Sequence, residues 1–370
     1  MNIPQGYKQT ELGIIPEDWE VTTIKQIADI TTGNKNTQDA EEGGKYPFYV
    51  RSQNVERINS YSYDCEGIVT AGDGVGTGKI FHYVRGKFGL HQRAYLIYNF
   101  KDFDSQYFYW YFSQYFYDRI NQMTAKSSVD SVRKEMIEDM CILRAPIAEQ
   151  RAIAEALSDV DGLIAALDKK IAKKRLLKQG AMCKLLSLSG RGKKWFNIKL
   201  GNVVNIRKGS MLTSDKFVAG NIPVIAGGKI PAGYHNVANR PANTITISAS
   251  GASAGYVALY NKPIFATDCS TIEPCSTYDI HYIYHLLKYY QSEIFAMQTG
   301  GAQPHVHPSD LNELQILYAK DIEEQQAIAT ILSDMDKEIA DLEAQRDKYR
   351  LLKSGMMQKL LTGQIRLKTE

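Results

Sequence analysis

Glu149-Gln150-Arg151-Ala152-Ile153-Ala154 returns 175 positions later as Glu324-Gln325-Gln326-Ala327-Ile328-Ala329. The match runs without a gap to Leu186 and Leu361, and 22 of the 38 paired positions are identical. Near its end Arg175-Leu176-Leu177-Lys178 meets Arg350-Leu351-Leu352-Lys353. Identity at that density marks a duplication, which constrains the fold before any local reading does. The copies also begin alike. Trp19, Ile24, Ile27, Ile30 and Gly33 align with Trp195, Leu200, Val203, Ile206 and Gly209 at an offset of 176, and Tyr46-Pro47-Phe48 aligns with Ile222-Pro223-Val224. Between these anchors the copies diverge, as expected of one scaffold carrying two different surfaces.

The repeated segment reads as a helix with a coiled-coil stripe. Ile153, Leu157, Val160, Ile164, Leu167 and Ile171 follow steps of four and three; Ile328, Leu332, Met335, Ile339 and Leu342 do the same until Arg346 breaks the pattern. Such a seam buries itself against another helix, and the other copy is the expected partner. At a rise of about 1.5 Å per residue, some 33 residues give a rod of roughly 50 Å. Pro146 and Gly363 mark the outer ends. A strict seam with polar outer faces predicts spacers and docking surfaces.

The regions before each helix read as β-rich. Gly67-Ile68-Val69-Thr70 and Thr244-Ile245-Thr246-Ile247 are short apolar runs bounded by glycine clusters. Further helices are expected over 105–121 and 279–296. Tyr107-Phe108-Tyr109-Trp110-Tyr111-Phe112 is dense enough in rings to invite a base-stacking reading, but one face of a helix packed under a sheet is the expectation.

Bulk properties agree with a globular chain of two or three domains: 370 residues, 44% hydrophobic, 23% charged. A net charge of +3 confines any nucleic-acid surface to local patches. Cys65, Cys141, Cys183, Cys269 and Cys275 lack the close spacing of zinc ribbons or redox motifs, which predicts reduced thiols. Met1-Asn2-Ile3-Pro4-Gln5-Gly6 lacks the layout of a secretory leader, and no apolar run spans a bilayer. A soluble, cytoplasmic protein is expected.

Several stretches imitate chemistry. Ala71-Gly72-Asp73-Gly74-Val75-Gly76-Thr77-Gly78-Lys79 resembles a phosphate loop, but Asp73 occupies a required glycine and Ile80 replaces the magnesium-binding hydroxyl. Ser248-Ala249-Ser250-Gly251-Ala252-Ser253-Ala254-Gly255 in the second copy fits even less, so a tight turn is expected in both. His281 and His285 are four apart without the glutamate of a zinc protease helix, and His305-Val306-His307 has no companion cluster. No Asn-Pro-Pro-aromatic or Asp-Pro-Pro-Tyr tetrapeptide of an amino-methyltransferase and no motor motif is present. No catalytic or metal-binding constellation is expected.

Gly13-Ile14-Ile15-Pro16-Glu17-Asp18-Trp19 opens the first copy, and Ala145-Pro146-Ile147-Ala148-Glu149-Gln150 enters its helix. With the duplication, these resemble the specificity subunit of type I restriction-modification enzymes across essentially the whole chain. The second copy departs, opening with Gly192-Lys193-Lys194-Trp195 and entering its helix through Ala319-Lys320-Asp321-Ile322-Glu323-Glu324, without proline. The resemblance implies an α+β fold: two tandem α/β target-recognition domains separated by two long antiparallel coiled-coil helices, with a pseudo-twofold internal duplication. The boundaries expected are an arm over 1–18, domains over 19–145 and 189–320, a central helix over 146–188, and a second long helix with a tail over 321–370. It also implies a non-catalytic chain that binds double-stranded DNA and two methyltransferase subunits, joined by motor-nuclease subunits. S-adenosylmethionine, ATP and magnesium would belong to those partners. The competing reading is a two-domain scaffold for protein partners without DNA readout.

Base readout calls for Arg or Lys on guanine and Asn or Gln on adenine, with hydroxyls and backbone amides on phosphate. In the first copy the candidates are Arg51, Ser52, Gln53, Asn54, Gly74, Lys79, His91, Gln92, Arg93, Lys126, Ser127 and Ser128. In the second they are Gly228 and Lys229, Ser250 and Ser253, and Gln303 and His305. An ordinary solvated loop side chain is the competing reading for each. The chemistry differs between copies, which predicts two different half-sites. On the helices, Ile153, Leu157, Leu176, Leu177, Ile328, Leu332, Leu351 and Leu352 are the expected partner-binding positions. The basic run Arg191-Gly192-Lys193-Lys194 reads either as a phosphate contact or as a solvated linker.

Overall fold

The computed structural model describes residues 3–123, 131–187 and 195–367. It divides into two compact units, Met1–Leu167 with Gln345–Glu370, and Asp168–Ala344. The division cuts both long helices, Ile147–Leu186 and Ile322–Leu360. Each unit therefore contains one module, the start of that module's helix and the end of the other.

In the first unit a six-stranded sheet runs in the order Asp29–Thr32, Ala94–Tyr98, Tyr63–Ala71, Phe81–Leu90, Tyr46–Tyr49, Glu56–Ile58. Only the pairing of Tyr46–Tyr49 with Phe81–Leu90 is parallel. The second unit keeps this order in two pieces. Arg207–Lys208, Cys269–Ile272, Thr244–Ser248 and Val257–Tyr260 form one sheet, and Gly233–His235, Ile222–Ile225 and Phe265–Ala266 form the other. The equivalent of the long Phe81–Leu90 strand is broken at Asn261-Lys262-Pro263, where proline has no N–H to donate to a ladder.

The glycine anchors have a steric cause. A Cβ on Gly33 would lie 2.0 Å from the Leu90 carbonyl oxygen, and one on Gly209 would lie 2.1 Å from that of Thr267. The chain crosses a strand end there too closely for any side chain.

The aromatic helix, Ser105–Met123, packs as core: Tyr107, Phe108, Trp110, Tyr111, Phe112 and Phe116 are all buried. Its second-unit counterpart departs from the single helix expected over 279–296. It breaks at Tyr290 into Ile280–Tyr289 and Gln291–Ala296. Tyr290 takes a non-helical ψ of 16° and its hydroxyl accepts the Leu317 N–H at 2.9 Å. A strand contact thus outweighs helical continuity.

The long helices run 40 and 39 residues, past the end of the apolar stripe. Beyond Ile171 and Leu342 the seam turns cationic and meets carboxylates. In the second unit Lys174 pairs with Glu338 at 2.6 Å, and Lys178 pairs with Asp336. Advancing along one helix retreats along the other, so the pair is antiparallel. In the first unit Lys353 pairs with Asp161. Adding 175 to 178 and 161 gives 353 and 336, so one ion pair is written twice with its partners exchanged.

Each core is closed the same way. Ile153, Ala154 and Leu157 pack with Met357, Leu360 and Leu361 in the first unit; Ile328, Ala329 and Leu332 share a core with Leu186 in the second. No described helix is long and apolar enough to cross a membrane.

Candidate nucleic-acid interface

The repeated Glu-Gln dipeptide anchors each helix entrance to its module. Glu149 accepts the Trp19 indole N–H at 3.0 Å, and Glu324 accepts that of Trp195 at 3.0 Å. Gln150 donates to the Ala145 carbonyl at 2.7 Å and accepts the Asp104 N–H at 2.8 Å; Gln325 does the same with Ala319 and Asp279 at 2.7 and 2.8 Å. Asp104 and Asp279 in turn cap the next helix through the N–H of Tyr107 and Tyr282. These bonds tie each helix entrance to the module's opening tryptophan and to the cap of its preceding helix; the candidate loops lie at one end of the sheet.

At that end the first module gathers Arg51, Asp73 and Arg93. Arg51 Nη1 meets Asp73 Oδ1 at 2.5 Å, and Arg93 Nη1 meets Asp73 Oδ2 at 2.9 Å. Partial burial pushes the Asp73 carboxyl up, but the hydrogen bonds from Arg51 and Arg93 outweigh it and hold the group below its ordinary value. Behind them lies His91, buried, its Nδ1 accepting the Arg93 N–H at 3.0 Å. Burial, then the nearby Arg51 charge, lowers its pKa, and the bond to Nδ1 fixes the Arg93 backbone. His91, one of the candidate base-contacting residues, is 4% exposed. Gln92 is exposed and donates to Asn36 Oδ1.

Ser52 caps its own turn, accepting the Asn54 N–H at 3.0 Å, while Gln53 and Asn54 are exposed. Gly74 carries a φ of +84° in a tight turn closed by the Thr77 N–H on its carbonyl at 3.0 Å. Lys79 is exposed and lies 4.9 Å over the Tyr117 ring. Lys126, Ser127 and Ser128 lie outside the described residues, as does the run Arg191 to Lys194.

The second module rebuilds this end with other residues. The Gly72 N–H donates to the Arg93 carbonyl and the Val132 N–H to Gly72; likewise the Ala249 N–H donates to Asp268 and the Val306 N–H to Ala249. These bonds equate Asp73 with Ser250 and Arg93 with Asp268. The matched parallel strands Tyr46–Tyr49 and Ile222–Ile225 equate Arg51 with Gly227. Ser250 donates its hydroxyl to Asp268 Oδ2. A Cβ on Gly227 would fall 2.6 Å from the Ser250 carbonyl oxygen and 3.2 Å from Asp268 Oδ2, so no side chain fits there without a shift. Arg-Asp-Arg in one module thus stands as Gly-Ser-Asp in the other.

The remaining second-module candidates surround this point. His305 bridges to both Ser250 and Thr299, which draws the 299–305 loop onto the strand end; Gln303 is exposed on it. Gly251 and Gly255 have φ of +78° and +84°, and Ser253 lies in the turn between them, matching Gly74 and Gly78. Gly228 and Lys229 are exposed, and the Lys229 ammonium sits 5.5 Å over Tyr256. The spatial counterpart of Arg93 is Asp268. Base readout by cations, amides and hydroxyls does not single out Asp73 or Asp268 in the sequence. The offset of 175 between positions 93 and 268 was the available signal.

On the helices, Ile153, Leu157, Ile328 and Leu332 are at most 3% exposed and belong to the chain's own cores, so they have no face to offer a partner. Leu176, Leu177, Leu351 and Leu352 are between 50% and 76% exposed. Among the described residues no three His, Cys, Asp or Glu side chains gather as a metal centre requires.

Residues 16–174 and 192–349 both match the family described as type I restriction modification DNA specificity domain, and the chain belongs to that family. It is 25% identical to the MjaVIII specificity subunit of Methanocaldococcus jannaschii over 98% of this chain and 97% of that one. It is 28% identical to the EcoDI specificity subunit of Escherichia coli over 42% of this chain and 33% of that one. The crystal structure of the type I restriction-modification S subunit from M. genitalium superposes over 100% of this chain and 99% of that one, with a TM-score of 0.76 at 19% identity.

Proposed function

We propose that the chain is the DNA-recognition subunit of a type I restriction-modification complex, each module reading one half of a bipartite site. The observation that carries this reading is the three-position substitution at equivalent loops. A common backbone presents two guanidinium groups and a carboxylate in one module, and a hydroxyl and a carboxylate in the other. A shared scaffold with exchanged polar groups at one edge is what two different base readings require. The long helices set the unspecific gap and dock two methyltransferase subunits through the exposed leucine pairs. Adenine methylation and ATP-dependent cleavage are then the work of partner subunits, which hold S-adenosylmethionine, ATP and magnesium, and this chain is not itself an enzyme.

Co-expression with the methyltransferase partner, followed by sequencing of methylated bases, tests the reading. The expected result is a two-part motif with a fixed gap. Methylation without sequence preference would overturn it.

A further inference from the structure

The matched positions 51, 73 and 93 against 227, 250 and 268 differ in the sign of what they present. In the first module two arginines flank one carboxylate, for a net charge of +1. Asp73 uses one N–H of each guanidinium at these contacts, out of the five that an arginine carries. The carboxylate holds both cations in place, and Arg93 is 61% exposed at its side chain. In the second module the arginines are gone: the chain is glycine at one position for lack of space, and aspartate at the other. Asp268 is exposed, and its Oδ2 is oriented by the Ser250 hydroxyl.

An exposed carboxylate is out of place on a surface that only follows phosphates, because it repels them. It suits a base edge that offers a donor. Among the bases in the major groove, guanine presents two acceptors at O6 and N7, matched by arginine, while cytosine presents an N4 amino donor, matched by aspartate or glutamate. We propose that this triplet is the specificity switch of the fold: Arg93, braced by Asp73, selects a guanine in one half-site, and Asp268, braced by Ser250, selects a cytosine in the other. The assignment rests on the proposed DNA-reading function and adds the residue and base class at one position of each half-site.

The test uses the full chain in complex with its methyltransferase partner, with methylated motifs mapped for wild type, Arg93→Ala, Asp268→Ala and Asp268→Asn. The asparagine variant keeps an acceptor for the Ser250 hydroxyl, so folding is preserved where the alanine variant fails. Arg93→Ala should erase preference for guanine at one position of one half-site. Asp268→Asn should lower the preference for cytosine at one position of the other half-site by about 5- to 100-fold. All other positions should be unchanged in both. Four outcomes would overturn the assignment alone: an unaltered motif, an even loss of methylation across both half-sites, both variants acting on one half-site, or an Asp268-dependent position that is not cytosine. A wild-type complex with no motif would remove the proposed function and this assignment together.

Discussion

Trp19 donates its indole N–H to Glu149, and that carboxylate also takes two bonds from Arg366, at 2.7 and 2.8 Å, and one from the Leu367 N–H at 3.1 Å. Arg366 reaches on to Asp18 at 2.7 and 2.9 Å. A residue near the end of the chain thereby closes over the entrance of the first helix, within one unit. Burial alone would raise the Glu149 pKa, but the bonds from Arg366 and Trp19 more than offset it and hold the group below its usual range.

Glu149→Ala leaves the Trp19 N–H and part of the Arg366 fork without an acceptor and should cost the first unit roughly 3 kcal/mol. A depressed carboxylate pKa contributes stability above the unfolded value of about 4.3, which is lost as pH falls through the folded value. Wild type should therefore lose stability below about pH 4 more steeply than Glu149→Gln. Hydrogen exchange of 13–19 and 147–157 at neutral and acid pH checks both; a parallel acid response in the two proteins would exclude Glu149 as the source.

The exchanged closure of the cores gives a crosswise prediction. Leu361 is fully buried in the first unit and Leu186 in the second, although Leu186 ends, and Leu361 directly follows, the helix that began in the other. Leu361→Ala should destabilise the first module, and Leu186→Ala the second, each by about 2–5 kcal/mol. Exchange protection in Ser105–Met123 should fall with the former, and in Ile280–Tyr289 with the latter. Loss of protection in the opposite module would contradict the core assignment.

Lys178 and Asp336 should show a coupling of about 0.5–1 kcal/mol in a double-mutant cycle, and the equivalent Lys353 and Asp161 about the same, since each pair keeps one half-exposed partner. Both couplings should shrink at 1 M salt. Equal stabilities for single and double variants, after correction for the separate changes, would show the pairs to be without energetic weight.

His285 is buried at 1% exposure beside the Ser333 hydroxyl, 3.0 Å from its Nε2. Burial, with Lys178 and His281 nearby, lowers its pKa to about 3. Because the unfolded ring titrates near 6.5, protons favour the unfolded chain as pH falls from about 6.5 towards 3. The second unit should lose stability across that window, and His285→Gln should flatten the loss. Thermal melts at pH 7.5, 6 and 5 measure it; identical slopes for the two proteins would mean that the ring is protonated in the fold.

The repeat made the architecture legible because coiled-coil spacing and long identity are properties of the sequence itself. The aromatic helix was legible for a similar reason, since rings three and four apart fall on one buried face. The roles of Glu149 and Gln150 were not, although their recurrence was plain, because most of what they bind, Asp104, Trp19, Arg366 and Leu367, lies 46 to 218 positions away. The apolar stripe covers only part of each long helix, for a physical reason. Apolar periodicity stops where the seam switches to Lys174, Lys178 and Lys353, and those side chains are read as solvent-facing until the carboxylates opposite them are known. The candidate site was half legible. Arg51 and Arg93 declare themselves, whereas Asp268 acquires meaning only when the backbone equates it with Arg93.

Leu176-Leu177 and Leu351-Leu352 occupy equivalent positions of the repeat and are exposed in both units, so a partner that fits one pair should fit the other. Leu351→Ser with Leu352→Ser should leave the chain's own melting temperature nearly unchanged, because neither side chain contributes to a core. Each deleted leucine should weaken a docked methyltransferase subunit by about 1–2 kcal/mol, the range for truncating a buried apolar contact at an interface. On the proposed docking of two methyltransferase subunits, the double variant should carry one, and the fourfold variant, with Leu176→Ser and Leu177→Ser added, should carry none. Mass measurement of the purified complexes distinguishes these stoichiometries. Retention of two subunits by the fourfold variant would place docking elsewhere on the chain.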